Sequence, residues 1–113
     1  MRNALTILGL AVAVGCGQAP PPQQQIDVIG IQSELLEIGK AEGRYLVDHS
    51  TYATLDELQQ DNLLSGGADR RGYVFKVTVN GSQGYTVTAT PSDADKAAWP
   101  TLAMDQTMQI TKQ

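Results

Sequence analysis

The chain reads as an α+β protein: a long N-terminal helix and a short second helix packed on a small antiparallel sheet of three to four strands. Three observations predict this. Between residues 26 and 49, apolar side chains recur at steps of three, four and seven. Thr54, followed three residues later by Glu57, is a capping pattern that opens a second, shorter helix. From residue 72 onward the apolar period changes to two. Helices first and neighbouring strands afterwards is the order of a helix-on-sheet architecture.

The first segment reads as an address. Arg2 gives a positive start, and residues 4–15, ALTILGLAVAVG, are apolar and mostly small. That is the length of a secretory signal core, and it falls short of the ~20 apolar residues that span a bilayer. The run ends in Ala13-Val14-Gly15-Cys16, which resembles a bacterial lipobox. The resemblance implies cleavage between Gly15 and Cys16. It also implies a diacylglycerol thioether and an acyl chain of the palmitate class on Cys16, which becomes the mature N-terminus. Lipid chains of this kind contribute about 0.8 kcal/mol per buried CH₂. Gly17, where inner-membrane retention would favour Asp, points to the outer membrane, facing the periplasm or the surface. The mature chain loses Arg2 and keeps all 12 acidic residues, so the lipid, not the charge of the body, must do the anchoring.

The expected division is a signal peptide over 1–15, a lipidated cysteine and Pro/Gln-rich tether over 16–25, and one domain over 26–113. Residues 17–25, GQAPPPQQQ, lack apolar periodicity, and three consecutive prolines favour an extended, semi-stiff conformation. The main helix follows. Val28, Ile31, Leu35, Ile38, Tyr45 and His49 share one face, Ala41 and Leu46 widen it, and Glu37, Lys40 and Arg44 lie opposite. Gly30, Gly39 and Gly43 weaken this helix by roughly 1 kcal/mol each relative to Ala. Gly39 and Gly43 are expected to let a sheet or loop approach closely.

The short helix spans about 55 to 61, with Leu55 and Leu58 inward, and Ser65-Gly66-Gly67 ends the helical region. Tyr73, Phe75, Val77 and Val79 then alternate with Lys76, Thr78 and Asn80; Tyr85, Val87 and Ala89 alternate with Thr86, Thr88 and Thr90. Asn80-Gly81 turns the chain between these strands, because both residue types tolerate positive φ. Pro91 ends the second strand. A weaker pair, Leu102 and Met104 then Met108 and Ile110, is joined near Asp105-Gln106.

Composition narrows the function. One cysteine forms no disulfide framework, and one histidine beside it supplies no zinc ligand set. A net charge of −4, with one Phe, one Trp and four Tyr, argues against a nucleic-acid partner. No cofactor is expected beyond the covalent lipid on Cys16. Asp48-His49-Ser50 holds the letters of a triad, but neighbours on a helix point about 100° apart and do not converge on one substrate. His49 reads instead as a packed or capping residue, and the chain as a non-enzyme. Asp93 and Asp95 are weak calcium candidates. Trp99, Arg70 and Arg71 are candidate partner contacts. The default readings are a core-edge tryptophan and a solvated loop.

The stretch from residue 40 to 111 resembles the globular head of type IV pilin-like proteins and type II secretion pseudopilins. The residues that carry this are Tyr52-Ala53-Thr54-Leu55-Asp56-Glu57-Leu58 after a helix, Leu63-Leu64, Gly72-Tyr73-x-Phe75, Gly84-Tyr85-x-Val87 leading to Thr88-Ala89-Thr90-Pro91, and a closing Met104-Asp105 and Met108-Gln109-Ile110. The prepilin leader and the apolar stalk that packs pilins into a fibre have no counterpart here, so the polymerising role is not carried over. The expectation is a membrane-anchored lipoprotein with a pilin-like head that serves as a non-enzymatic structural or interaction module of the cell envelope. The alternatives are an accessory component of a type IV pilus or type II secretion system, whose partners would be pilin or secretion proteins, and a small-ligand-binding periplasmic lipoprotein.

Overall fold

A computed structural model describes residues 22–113; the expected signal peptide, Cys16 and residues 17–21 lie outside the described residues. Helix α1 spans Pro22–His49, about 42 Å at 1.5 Å per residue. It begins four residues before the expected boundary, so Pro22 to Gln25 are helix rather than extended tether. Proline suits the first helical position, where its missing N–H would have no partner and its fixed φ is already helical. Gln23 Nε2 then donates to Asp27 Oδ1 across one turn (3.1 Å). Among the described residues no helix is long and apolar enough to cross a membrane.

Ser50, at φ +62°, ends α1, its N–H donating to the Leu46 carbonyl (2.8 Å). Helix α2, Leu55–Gln60, starts on the expected capping box: Glu57 N–H donates to Thr54 Oγ1 (3.3 Å) and Thr54 N–H donates to Glu57 Oε1 (2.9 Å). Leu58 is buried and Leu55 packs against the core.

The sheet has five antiparallel strands in sequence order: β1 (Asp69–Arg70), β2 (Tyr73–Asn80), β3 (Gly84–Pro91), β4 (Leu102–Asp105) and β5 (Ile110–Lys112). The expected count of three to four omits β1. Its pairing, Arg70 opposite Tyr73, leaves Arg71 and Gly72 as a two-residue loop, both at positive φ (+54° and +78°). That is the geometry whose twist matches a hairpin. The β2–β3 turn holds Gly81 at φ +56°, and Asn80 is the last paired residue, opposite Gly84. Between β4 and β5, Met108 is not a strand residue. It sits at φ +66° in the loop, its N–H donating to the Asp105 carbonyl (2.9 Å).

One face of the sheet carries Tyr73, Phe75, Tyr85, Val87, Ala89, Leu102 and Met104 into the core, against Ile31, Leu35, Ile38 and Ala41 of α1 and Leu58 of α2. Lys76, Thr78, Thr86 and Thr90 stay on the exposed face. Gly39 allows the close approach expected of it: a Cβ there would collide with Met108 Sδ and Met104 Cε. Gly43 does not, because nothing lies within 4 Å of where its Cβ would be. His49 is not in the core either. Its ring is exposed, stacked on Tyr45 at 4.0 Å between centroids, with Nε2 3.0 Å from Asp61 Oδ2.

Candidate functional site

Most of the residues singled out in the sequence gather at one end of the domain, the end where the chain enters α1. The β1–β2 loop brings Arg70 and Arg71 to the first turns of that helix. Arg70 Nη1 donates to Glu34 Oε1 (2.5 Å), Nε donates to the Gly67 carbonyl (3.0 Å) and Nη2 to the Ser65 carbonyl (2.5 Å). Charge-assisted bonds of this kind are the strong ones, and the Arg70 side chain is only 11% exposed. Arg70 is therefore a clasp between β1 and α1, not a displayed contact.

Arg71 is half exposed, with Nη1 3.8 Å from Asp27 Oδ1. Its guanidinium lies across α1 at Gly30. A Cβ on that glycine would come within 2.6 Å of Arg71 Cζ, so any other residue there would make the guanidinium shift. Holding a non-glycine residue at positive φ costs of order 1 kcal/mol or more, and the placement of Arg71 on the helix accompanies that cost.

The Asp93–Trp99 loop closes onto the same hairpin. The Gly72 carbonyl accepts from Ser92 N–H (2.8 Å) and Asp93 N–H (3.3 Å). Asp93 Oδ2 lies 3.5 Å from Lys96 Nζ, which in turn sits 5.1 Å from the Trp99 ring centroid. Trp99 is half-buried against the core, where it closes the edge. Asp95 is exposed on the 3₁₀ turn Ala94–Lys96. Among the described residues no three His, Cys, Asp or Glu side chains come together as a metal site. Asp93 instead has the adjacent Lys96 as its counter-charge. Pro100 follows, its carbonyl accepting from Tyr73 Oη (2.7 Å).

Two open clefts flank Ile29 here. One, of about 430 Å³, runs between Ile26, Ile29, Gly30 and Arg71. The other, of about 210 Å³, is lined by Val28, Ile29, Pro100 and Lys112. Ile26 and Ile29 are 58% and 65% exposed. The two isoleucines thus form an apolar ridge with Arg71 on one side and Lys112 on the other.

The opposite end of α1 holds a residue that the sequence reading passed over. Glu42 has no exposed surface. Its Oε1 accepts from Ala53 N–H (2.7 Å), while Oε2 is buried with no hydrogen-bond partner. Burial pushes this carboxyl up to about 7, opposed by the Ala53 hydrogen bond and reinforced by the nearby Glu57 charge. Tyr85 stands edge-on to Tyr52 at 4.9 Å between ring centroids. Burial, then the Glu42 charge, pushes its hydroxyl up to about 12. Tyr52 N–H donates to the Gly81 carbonyl (3.0 Å). The link between α1 and α2 is thus fixed both to the β2–β3 turn and to Glu42. One sequence signal points to Glu42: the step of seven from Ile38 to Tyr45 is divided by it into four and three, which puts it on the buried face.

No family model, curated protein or solved structure matches the chain. The site must be read from its own residues.

Proposed function

We propose that the chain is a lipid-anchored protein of the bacterial envelope whose small head is a non-enzymatic structural or interaction module. The observation that carries the reading is the position of Cys16. The one cysteine of the chain ends an apolar run of signal length and precedes a proline-rich tether that leads within six residues into α1. The tether-side end of the head supports a contact role, because Ile26 and Ile29 stand exposed there beside the Arg70–Glu34 and Arg71–Asp27 pairs.

A pilin-like head is part of the proposal. A long helix, a capping-box turn and antiparallel hairpins follow one another in the order the resemblance implies. The same order favours, as a second reading, an accessory subunit of a pilus or secretion machine. Fractionation tests the first reading. Cys16→Ser should move the protein from the membrane fraction to the soluble fraction. A Cys16→Ser protein that stays with the membrane would sink the anchor. Recovery of pilin or secretion subunits with the wild-type protein, after mild crosslinking, would favour the second reading over the first.

A further inference from the structure

Ile26 and Ile29 stand one turn apart on the same side of α1, and both are more than half exposed. The surroundings are organised around them. On one side Arg71 lies over Gly30, 48% exposed, with Asp27 as its counter-charge. On the other side Lys112, at the end of β5, borders the cleft that Ile29 shares with Pro100. Glu34, the acid one turn further on, is held by Arg70. The result is an apolar ridge between two cations, with Asp27 and Glu34 each beside an arginine and Glu37 at the far end of the Arg71 cleft. This is the pattern of groups that seat at a lipid headgroup layer: apolar side chains enter the acyl boundary and flanking cations face phosphate.

Chain length selects the occupant. Pro22 is six residue steps from Cys16, and six steps reach at most about 20 Å when fully extended. A lipid on Cys16 therefore keeps the ridge close to the bilayer surface at high effective concentration.

We propose that the N-terminal end of α1 rests on the bilayer that holds the anchor, with Ile26 and Ile29 entering the headgroup region and Arg71 and Lys112 facing lipid phosphates on either side. This rests on the reading of Cys16 as lipidated. It adds an orientation: the head lies against the membrane through one defined edge, and the Glu42 end points away.

The test uses the full lipidated chain reconstituted in vesicles of equal parts phosphatidylethanolamine and phosphatidylglycerol. A fluorophore is placed on Ile29→Cys and, separately, on Val47→Cys. Val47 is 81% exposed on the same helix, about 27 Å further along its axis. Both positions are at the surface, so labelling leaves the core intact, and circular dichroism checks this. A lipid carrying a headgroup nitroxide should quench the probe at 29 several-fold more than the probe at 47. Ile26→Ser should reduce the quenching at 29. Equal quenching at the two positions overturns the proposal, and so does probe–probe contact at 29 without lipid quenching, which would mean a second copy covers the ridge. A chain that fractionates as soluble overturns the anchor and the docking together. A membrane-bound chain with equal quenching overturns only the docking.

Discussion

The two ends of α1 handle charge in opposite ways. At the N-terminal end Asp27 and Glu34 each face an arginine of the β1–β2 hairpin, while Ile26 and Ile29 are left in solvent. At the C-terminal end Glu42 is buried without a cation, held by one backbone N–H, and its second oxygen has no partner. At the first end each acid has a guanidinium beside it. The second end carries a carboxyl that gains or loses its proton near pH 7. One helix therefore joins a surface of paired charges to a core whose charge depends on pH.

Three substitutions probe this contrast. Arg70→Ala should have the largest effect. It removes three hydrogen bonds and leaves Glu34 without its counter-charge, a loss of about 3 kcal/mol of unfolding free energy for a largely buried pair. Urea unfolding measures it, and a loss under about 1 kcal/mol would mean the clasp is no stronger than an exposed pair.

Glu42→Gln comes second and acts through pH. The folded carboxyl titrates near 7, above its ordinary 4.5. Below pH 4.5 both folded and unfolded chains hold the proton, and the group costs nothing through linkage. Between 4.5 and 7 the unfolded chain releases the proton first, so stability falls as pH rises, levelling above 7. The wild-type protein should lose about 3 kcal/mol through this group across that window. Glutamine keeps an acceptor for Ala53 N–H and has no proton to lose. Melting temperatures from pH 4 to 8 should therefore slope less in the variant. An unchanged slope would place the pH dependence elsewhere.

Gly43→Ala should have the smallest effect and the opposite sign. The position is exposed and nothing lies near it, so the substitution should stabilise the helix by about 1 kcal/mol. A thermal midpoint that falls instead would reveal a contact at this face of α1.

What the sequence made legible follows the range of the interactions. The alternation of β2 and β3, the capping box at Thr54 and Glu57, and the buried row Ile31, Leu35, Ile38 are each set by neighbours within a few residues, and each appears where expected. Strand β1 is two residues long, too short for any period to register. Its hairpin loop has Arg71 where Asn or Gly would have signalled the turn. The Arg70–Glu34 clasp joins residues 36 apart, and no local pattern announces it. Glu42 is hard to see in the sequence for a different reason. A glutamate on a helix is ordinarily solvated, and only its spacing from Ile38 and Tyr45 marks the buried face. His49 fails in reverse: its spacing points inward, but its ring stacks on Tyr45 and pairs with Asp61 at the surface.

The strand order of the sheet bears on how the molecule is made. Every strand pairs with the one that follows it in sequence, so the sheet grows by successive local hairpins, the low-contact-order route to a fast-forming sheet. The helix is the exception. It comes first in the chain, yet its buried face meets β3 and β4, which come much later. In a chain emerging from its N-terminus, the hydrophobic face of α1 would wait for partners until β3 and β4 had followed. Hydrogen-exchange labelling during refolding should show amides of β2 and β3 protected before those of α1. Three glycines in that helix lower its intrinsic stability in the interval, which makes the sheet the template and the helix its lid.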